Sequence, residues 1–225
     1  MGSYDTFGNG KEKMNEKIIK FIEMLLEKNK VMNLTAITDP EEIRIKHIED
    51  SLTIQDYIEK NAKVIDIGTG AGFPGIPLKI QREDIEITLL DSLGKRIKFL
   101  QEVVDELELK NVNCIHARAE DYTREKREKY DYAVSRAVAE LRVLAEYALP
   151  YVKPGGEFIS MKGPNSEEEI ENAANSIKTL GGEIKEIINT KLSNGDERKI
   201  IIIKKVKQTP KKYPRSGNKP KTNPL

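Results

Sequence analysis

The chain has 225 residues, of which 33% are charged and 38% are hydrophobic, and its formal net charge is +1. These values predict a globular protein with one main domain and a substantial core. No apolar stretch approaches the roughly 20 residues that span a membrane, and the polar N-terminus does not resemble a secretory signal. The single cysteine excludes an internal disulfide. We therefore expect a cytoplasmic protein with no membrane segment.

Two helices are predicted at the start of the chain. Residues 14–30 carry isoleucine and leucine at helical spacing, which is typical of an amphipathic helix. The second helix should begin at Pro40, because Asp39 is a suitable N-cap and proline is favoured at the first helical position. We interpret residues 1–61 as an N-terminal helical appendage.

Between residues 62 and 206, short apolar runs alternate with amphipathic segments. This alternation predicts an α/β domain built on a doubly wound, mostly parallel sheet. The last two runs flank Asn194-Gly195, which predicts a terminal antiparallel hairpin and brings the sheet to seven strands. The predicted strands are 63–67, 85–90, 112–117, 130–137, 157–163, 183–192 and 198–206, and the predicted helices are 76–81, 94–109, 138–152 and 166–180.

The tail at 207–225 differs from the rest of the chain in charge. From Lys204 onward there are eight Lys and Arg residues and no acid, whereas the preceding part has 30 basic and 37 acidic residues. Prolines from Pro210 to Pro224 favour an extended, non-helical tail. Such a tail is either a solvated terminus or a contact for a polyanion, and charge alone leaves both interpretations open.

The stretch VIDIGTGAGFPGIPL at 64–78 joins the first strand to its helix, where open α/β sheets bind ligands. Its glycines allow a tight turn and the close approach of a ligand. Gly68, Gly70 and Gly72 alternate, but Phe73 holds the position where a dinucleotide-binding loop has its last glycine. No Gly-Lys-Ser/Thr follows, which disfavours a P-loop. The pattern disfavours NAD, and a tight turn without any ligand is the alternative.

Acidic residues follow each of the first three strands. Asp66 precedes the glycines, Asp91 closes the second strand, and Glu120 and Asp121 follow the third. A carboxylate at the end of the second strand accepts hydrogen bonds from ribose hydroxyls, and either of the last two could reach the amine of adenine. Three acids without a phosphate-binding lysine suit a cationic nucleoside. We therefore predict S-adenosylmethionine as the cofactor.

The chain also resembles a known family. The motifs NLTAI, KHIEDSL, DIGTGAGFPGIPL, DSLGKRIKFL, RAED, SRAVAEL, MKG and YPRSGNKPKTNPL occur in this order. Together they resemble the bacterial 16S ribosomal RNA guanine-N7 methyltransferases, also called the glucose-inhibited division protein B family. The resemblance runs from about Lys17 to Leu225. GAGFPG, SRAVA and YPR are far more specific than a generic methyltransferase loop.

This resemblance implies a Rossmann-like fold that uses S-adenosylmethionine and a reaction at N7 of a guanine in 16S rRNA. It implies that Gly70 and Gly72 form the turn of the cofactor loop, and Asp91 has the role that is general to the fold. The other cofactor residues implied by matching motifs are Gly68, Phe73, Ala119, Glu120 and Arg136.

Residue types that are missing narrow the choice of target atom. The turn after the fourth strand lacks the prolines found in enzymes that methylate exocyclic amines. Cytosine C5 methylation needs a thiolate nucleophile, but Cys114 is predicted inside a strand. Ribose methylation needs a lysine base, and Lys162 lacks the accompanying Lys-Asp-Lys-Glu set. Guanine N7 remains, and its free lone pair requires no general base.

Specific residues are assigned on this basis. Arg136 or Lys162 is predicted to orient the base, His116 is interpreted as structural, and a role for His47 is left open. RNA bases are best read where they are unstacked. The residues predicted to contact RNA are Lys162, Arg198, Tyr213 and Arg215.

We expect the substrate to be 16S rRNA or the small ribosomal subunit, and the protein to be a monomer without a metal. Two other interpretations stay open: a small-molecule methyltransferase of the same fold, and a non-catalytic RNA-binding assembly factor. The basic tail disfavours the first. The intact glycine loop, Asp91 and Glu120 disfavour the second.

Overall fold

In the computed structural model, which describes residues 14–136 and 139–225, seven strands form one sheet in the order β3-β2-β1-β4-β5-β7-β6. The first five are parallel, and β7 lies antiparallel between β5 and β6. The predicted α/β class, the mostly parallel seven-stranded sheet and the terminal hairpin are therefore confirmed. The strands are β1 Lys63–Ile67, β2 Glu86–Asp91, β3 Val112–His116, β4 Tyr130–Arg136, β5 Val152–Lys162, β6 Gly182–Lys191 and β7 Glu197–Lys205.

The helices cover both faces of this sheet. A π-type turn at Arg44–Glu49 and 3-10 turns at Gln55–Tyr57 and Leu149–Tyr151 accompany the α-helices. No described helix has the length and hydropathy that would cross a bilayer. The α-helices are α1 Glu16–Met32, α2 Pro40–Ile43, α3 Asp50–Leu52, α4 Gly75–Gln81, α5 Gly94–Glu106, α6 Ala119–Lys126, α7 Leu141–Ala148, α8 Glu167–Thr179 and α9 Lys219–Thr222.

Two hydrophobic clusters lie on opposite faces of the sheet. Along β1, Val64 belongs to one cluster and Ile65 to the other, as the two-residue period of a strand requires. The first cluster includes residues of α1, α4 and α5, and Phe21 of α1 is fully buried there. Its ring lies 5.4 Å from that of Phe73 in the glycine loop. The N-terminal helices therefore support the cofactor loop directly.

The structure differs from the sequence prediction at several element ends. β5 begins at Val152 rather than at residue 157, and the predicted helix 138–152 is α-helical only from Leu141 to Ala148. Pro150 explains the second difference, since it provides no N–H for a continuing α-helix. The sequence prediction also missed α6. The predicted strand end at residue 137 and helix start at residue 138 lie outside the described residues.

The sequence suggested an extended, non-helical tail, but the tail is not extended throughout. It contains the short helix α9, with Pro220 in the first turn, where proline is tolerated. Thr209, Tyr213 and Pro220 are buried. Tyr213 belongs to the second hydrophobic cluster, so the tail is packed against the domain.

Candidate active site

A cleft of about 860 Å³ opens at the carboxyl ends of the parallel strands. It lies where β1 has β2 on one side and β4 on the other, the topological switch point at which open sheets bind ligands. The structure brings most of the predicted site residues to this cleft. Those that line it are Gly68, Gly70, Phe73, Asp91, Ala119, Glu120, Arg136, Lys162 and Arg198.

The glycine loop closes tightly over the end of β2. The backbone N–H groups of Gly68 and Thr69 both donate to the Leu90 carbonyl, at 2.8 and 3.1 Å. Gly70 has a φ of +62°, a left-handed conformation that disfavours a side chain. An added Cβ there would meet only the Gly68 carbonyl oxygen, at 3.9 Å, so Gly70 leaves open space in the cleft.

Gly72 lies in the same loop but faces the hydrophobic core. A Cβ at this position would lie 2.7 Å from Ile76 Cγ1 and 2.9 Å from Leu100 Cδ2. Gly72 is therefore needed where the loop packs on the hydrophobic core, and it is not among the residues that line the cleft. It shapes the turn, as expected, but the structure gives it no direct access to a ligand.

Asp91 is fixed by the loop that it supports. Its carboxylate accepts hydrogen bonds from the N–H groups of Gly70, at 3.0 Å, and Leu93, at 2.8 Å. Arg96 also donates to it, at 3.2 Å. Two carboxylate oxygens accept about four hydrogen bonds, so capacity remains for a ribose hydroxyl. The geometry thus suits the role that Asp91 was given from the sequence.

Two buried polar atoms beside the loop lack hydrogen-bond partners in the described part of the chain: Thr69 Oγ1 and Asp66 Oδ1. Thr69 lines the cleft. Buried polar groups are nearly always paired, so unpaired polar atoms next to the cleft are consistent with a site for a polar ligand. These observations, together with the acids Asp91 and Glu120, fit S-adenosylmethionine in this cleft.

Asp66 has an unusual environment at the end of β1. It is fully buried, and its Oδ2 accepts one hydrogen bond from Gly75 N–H at 2.9 Å. Burial raises the pKa of Asp66 to about 7, and the Gly75 N–H and nearby Thr69 only partly oppose this effect. Among the groups that favour the charged form, the nearby Thr69 hydroxyl has the largest effect, followed by the Gly75 N–H and the charge of Arg136. Asp66 lies behind the loop rather than in the cleft.

Arg136 joins the end of β4 to the N-terminal segment. Its guanidinium donates to Asp50 Oδ2 at 2.8 Å and to the Lys46 carbonyl at 3.2 Å. It also lies 5.0 Å from the centroid of the Phe73 ring, in cation–π range. The protein itself therefore occupies several of its donors. This supports a role at the cofactor loop and leaves less capacity for the predicted role of orienting a base.

His47 lies in the π-type turn, a conformation that is frequent at functional sites. Its ring is 4.6 Å from Phe73 and its Nε2 is 2.8 Å from Thr35 Oγ1. Burial, helped by the charge of Arg136, lowers the pKa of His47 to about 4. His47 therefore stays neutral at physiological pH and serves as packing for the cofactor loop.

Asp50 is a site residue that the sequence reasoning missed. It is 4% exposed, and it pairs with Arg136 through Oδ2 and with Arg198 through Oδ1, the latter at 3.2 Å. It lies in the motif KHIEDSL, three residues after His47. A buried carboxylate shared by two arginines cannot be read from local sequence, because its partners lie far along the chain.

Lys162 is held at the end of β5. Its Nζ donates to the Ala139 carbonyl at 2.6 Å and to Glu169 Oε1 at 2.5 Å. Glu169, in α8, was not singled out from the sequence. The lysine faces the cleft, but both contacts reduce its freedom to reach a base or a phosphate. Arg198, with a side chain 22% exposed, is better placed for such a contact.

Two residues predicted to contact RNA lie outside the cleft lining. The Tyr213 ring is 6% exposed in a hydrophobic cluster, so in this position it cannot stack on a base. Arg215 forms an ion pair with Glu146 at 2.6 Å. Neither residue lines the cleft in this structure, and contact with RNA stays a prediction for both.

The remaining candidates support no nucleophilic or metal chemistry of their own. Cys114 is partly buried in β3, and burial raises the pKa of its thiol to about 11. His116 is exposed and contacts the Ser92 carbonyl at 3.1 Å. Within residues 14–136 and 139–225, no three His, Cys, Asp or Glu side chains are grouped to hold a metal ion.

Comparison with known families places this geometry in context. Residues 14–201 match the model of the family described as rRNA small subunit methyltransferase G. A protein of that name from Alkaliphilus oremlandii is 55% identical over 214 residues, which cover 93% of this chain and 90% of that protein. One from Clostridium botulinum is 53% identical over 219 residues, covering 95% and 92%.

Solved structures of more distant proteins share the fold. The O-methyltransferase from Bacillus cereus in complex with SAH superposes with a TM-score of 0.60 at 19% identity, covering 83% of this chain and 91% of that one. TYW2 from M. jannaschii in complex with AdoMet has a TM-score of 0.59 at 17% identity, covering 71% and 76%. These likenesses confirm the predicted fold class.

We predict that Gly70→Val weakens the binding of S-adenosylmethionine at least tenfold, because the new side chain enters the cleft where the ligand meets the backbone. The matched control is Gly195→Val in the β6–β7 turn, where φ is +88° and an added Cβ meets nothing within 4 Å. Calorimetry should show normal binding for the control and no binding of NAD to the wild type. Undiminished binding by Gly70→Val would place the cofactor elsewhere.

A second prediction concerns Asp66 in the protein without cofactor. Its pKa is about 7 when folded, against an ordinary value of 3.8. Between about pH 4 and pH 7 the unfolded chain loses this proton before the folded one, so the stability of the folded state falls as pH rises. Asp66→Asn cannot ionise and should be more stable than wild type above about pH 7, by the order of 1 kcal/mol or more. Below about pH 4 this difference should vanish.

Denaturant unfolding across this pH range measures the effect. Asp84→Asn is a control of opposite sign, because the ion pair with Arg82 holds the pKa of Asp84 well below its usual range. That variant should lose stability at neutral pH. An Asp66→Asn variant whose stability parallels the wild type at every pH would contradict the assignment.

Proposed function

Because the chain belongs to the rRNA small subunit methyltransferase G family (GidB), we propose that it transfers the methyl group of S-adenosylmethionine to N7 of a guanine in 16S rRNA. The bound cofactor supplies an electrophilic methyl group on a positively charged sulfur. The acids Asp91 and Glu120 would hold its ribose and adenine, and the loop at Gly68 and Gly70 would hold the rest. The substrate is free 16S rRNA or the small ribosomal subunit.

The observation that carries the RNA substrate is the charge of the cleft. Eight cationic side chains line the same cleft as the cofactor loop, against three carboxylates. Ion pairs at exposed positions contribute little energy, so cations such as Lys46 can exchange a protein partner for a phosphate. A surface of this kind suits a polyanion better than a small neutral substrate. The cations are Lys46, Arg96, Arg118, Arg136, Lys162, Arg198, Lys199 and Lys221.

The choice of N7 rests on the absence of a suitable base among the cleft residues that the structure describes. His47 is neutral and packed on Phe73, and its pKa of about 4 makes it a weak base. Lys162 donates to Glu169 and to a carbonyl. N7 of guanine carries a free lone pair, so alignment of the base is the main requirement. The base must leave its stack to reach the cleft, and Arg198 is the side chain we assign to its orientation.

The target atom can be tested directly. Mass spectrometry of 16S rRNA nucleosides from a strain that lacks this gene should show one 7-methylguanosine missing. The wild-type gene should restore it, and the Gly70→Val variant should not. If the missing group is on another atom, the N7 proposal is wrong. If Gly70→Val restores every phenotype without methylation, the protein acts as a non-catalytic assembly factor.

The absence of a general base gives a kinetic prediction. Turnover at saturating substrates should change little from about pH 7.5 to 8.5, because no base has to lose a proton in this range. His47→Ala should raise the KM for the cofactor, since Phe73 loses a packing partner, but the shape of the pH profile should not change. A rise with a single ionisation near neutrality that disappears in His47→Ala would contradict the mechanism.

A further inference from the structure

We propose that the tail at 207–225 forms a fixed wall of the RNA-binding cleft, in which Lys221 contacts an RNA phosphate and Arg215 is a positioning residue. The proposal rests on the proposed function, because RNA is the ligand. It differs from the expectation that the tail is extended and acts through its charge alone.

The strongest anchor of the tail is the pair of Arg215 and Glu146. The Glu146 side chain in α7 is 1% exposed, and its carboxylate accepts hydrogen bonds from the backbone N–H of Arg215 at 2.7 Å. It also accepts from Arg215 Nε at 2.9 Å and from the terminal nitrogen at 2.6 Å. A guanidinium and a carboxylate in this two-pronged arrangement fix both distance and direction.

A second anchor precedes the first in sequence. Thr209 is 4% exposed, its N–H donates to Glu128 at 2.9 Å, and its hydroxyl donates to the Leu180 carbonyl at 2.7 Å. The fully buried Lys205 donates to the Thr209 hydroxyl at 2.8 Å and to the Leu149 carbonyl at 2.5 Å. The end of β7 and the start of the tail therefore form one hydrogen-bonded unit.

Between these anchors Pro210, Lys211 and Lys212 are exposed, and Tyr213 is the residue that is buried. Tyr213 lies in the same hydrophobic cluster as Tyr147 and Ala148 of α7. Arg127 donates a hydrogen bond to the Tyr213 carbonyl. The tail is thus held by Arg127 and Glu128, which directly follow α6, and by Glu146 in α7. All three residues belong to the main domain.

These anchors direct the next residues to the cleft. Asn218 and Lys221 line the cleft, and Pro220 between them is buried. Tyr147 lines it too, and this residue directly follows Glu146 in α7. The element that holds Arg215 therefore also forms part of the cleft surface. Any change that releases Arg215 should move Lys221 away from the cleft.

Lys221 differs from its neighbour Lys219 in one respect. Both belong to α9, both are exposed, and neither has a carboxylate partner in the described part of the chain. Lys221 lines the cleft, whereas Lys219 does not. The two lysines therefore form a matched pair in charge, helix and exposure, with position as the difference.

The first test compares Lys221→Gln with Lys219→Gln. RNA binding is measured against salt concentration with 16S rRNA from a strain lacking the gene. Lys221→Gln should reduce the slope of log affinity against log salt by about 0.7 to 1, the value for one lost phosphate contact. Lys219→Gln should leave the slope close to that of wild type. Equal changes in the two variants would overturn the proposal.

The second test asks whether Arg215 acts through Lys221. Replacing Arg215 alone leaves Glu146 charged and buried, so the background is the double variant Arg215→Ala/Glu146→Gln, which removes that charge. Adding Lys221→Gln to this background should have little further effect on RNA affinity, because Lys221 has already lost its place. Additive losses would show that Lys221 and Arg215 contact RNA independently, as a flexible tail would do.

Binding of S-adenosylmethionine by each variant serves as the check that the domain is folded, since the cofactor residues lie on other elements. The result also separates this proposal from the proposed function. If the wild type neither binds nor methylates 16S rRNA, the proposed function fails. If the wild type does both and the lysine pair behaves alike, only the assignment of the tail fails.

Discussion

The buried ion pair between Arg136 and Asp50 is the interaction on which the site depends. It lies at the point where the glycine loop, the end of β4 and the N-terminal segment meet. Burial lowers the pKa of Arg136, and the charge of Asp50 opposes this effect. A buried cation without its partner would be costly, so the segment that carries Asp50 must stay in place. This constraint keeps the residues from Lys46 to Asp50 against the cofactor loop.

The position of Asp50 affects both the cofactor loop and the part of the cleft that we propose to bind RNA. Asp50 holds Arg136 with one oxygen, next to Phe73 of the cofactor loop, and faces Arg198 with the other. One carboxylate therefore contacts both the arginine next to the cofactor loop and the arginine that we propose to contact RNA. The two cations together outweigh the single negative charge, which leaves a net positive charge at the cleft. Asp50, Arg136 and Arg198 therefore fix the position of the two arginine side chains and also give this part of the cleft its positive charge.

The sequence was sufficient wherever the determinants were local. Alternating apolar runs predicted the sheet, Phe73 disfavoured NAD, and the acidic residues after the first three strands indicated S-adenosylmethionine. The contact between Arg136 and Asp50 spans 86 positions, and that between Arg215 and Glu146 spans 69. Neither has a periodic or local signal, so the role of Asp50 and the packing of the tail could not be predicted. The family resemblance indicated that YPR matters without indicating what it contacts.

The tail also shows why the composition of a segment does not by itself predict whether the segment is ordered. Its binding partner, here Glu146, can lie far away in the sequence. Six cations and four prolines would leave an isolated segment unfolded, yet Glu146 is buried in α7 and requires a cation. Because Arg215 pairs with Glu146, the tail loses its conformational entropy when the protein folds and not when RNA binds. A prepositioned Lys221 then binds a phosphate with less entropic cost than a mobile one. The same charge that looked like a sign of disorder thus becomes, through one buried acid, a fixed part of the cleft.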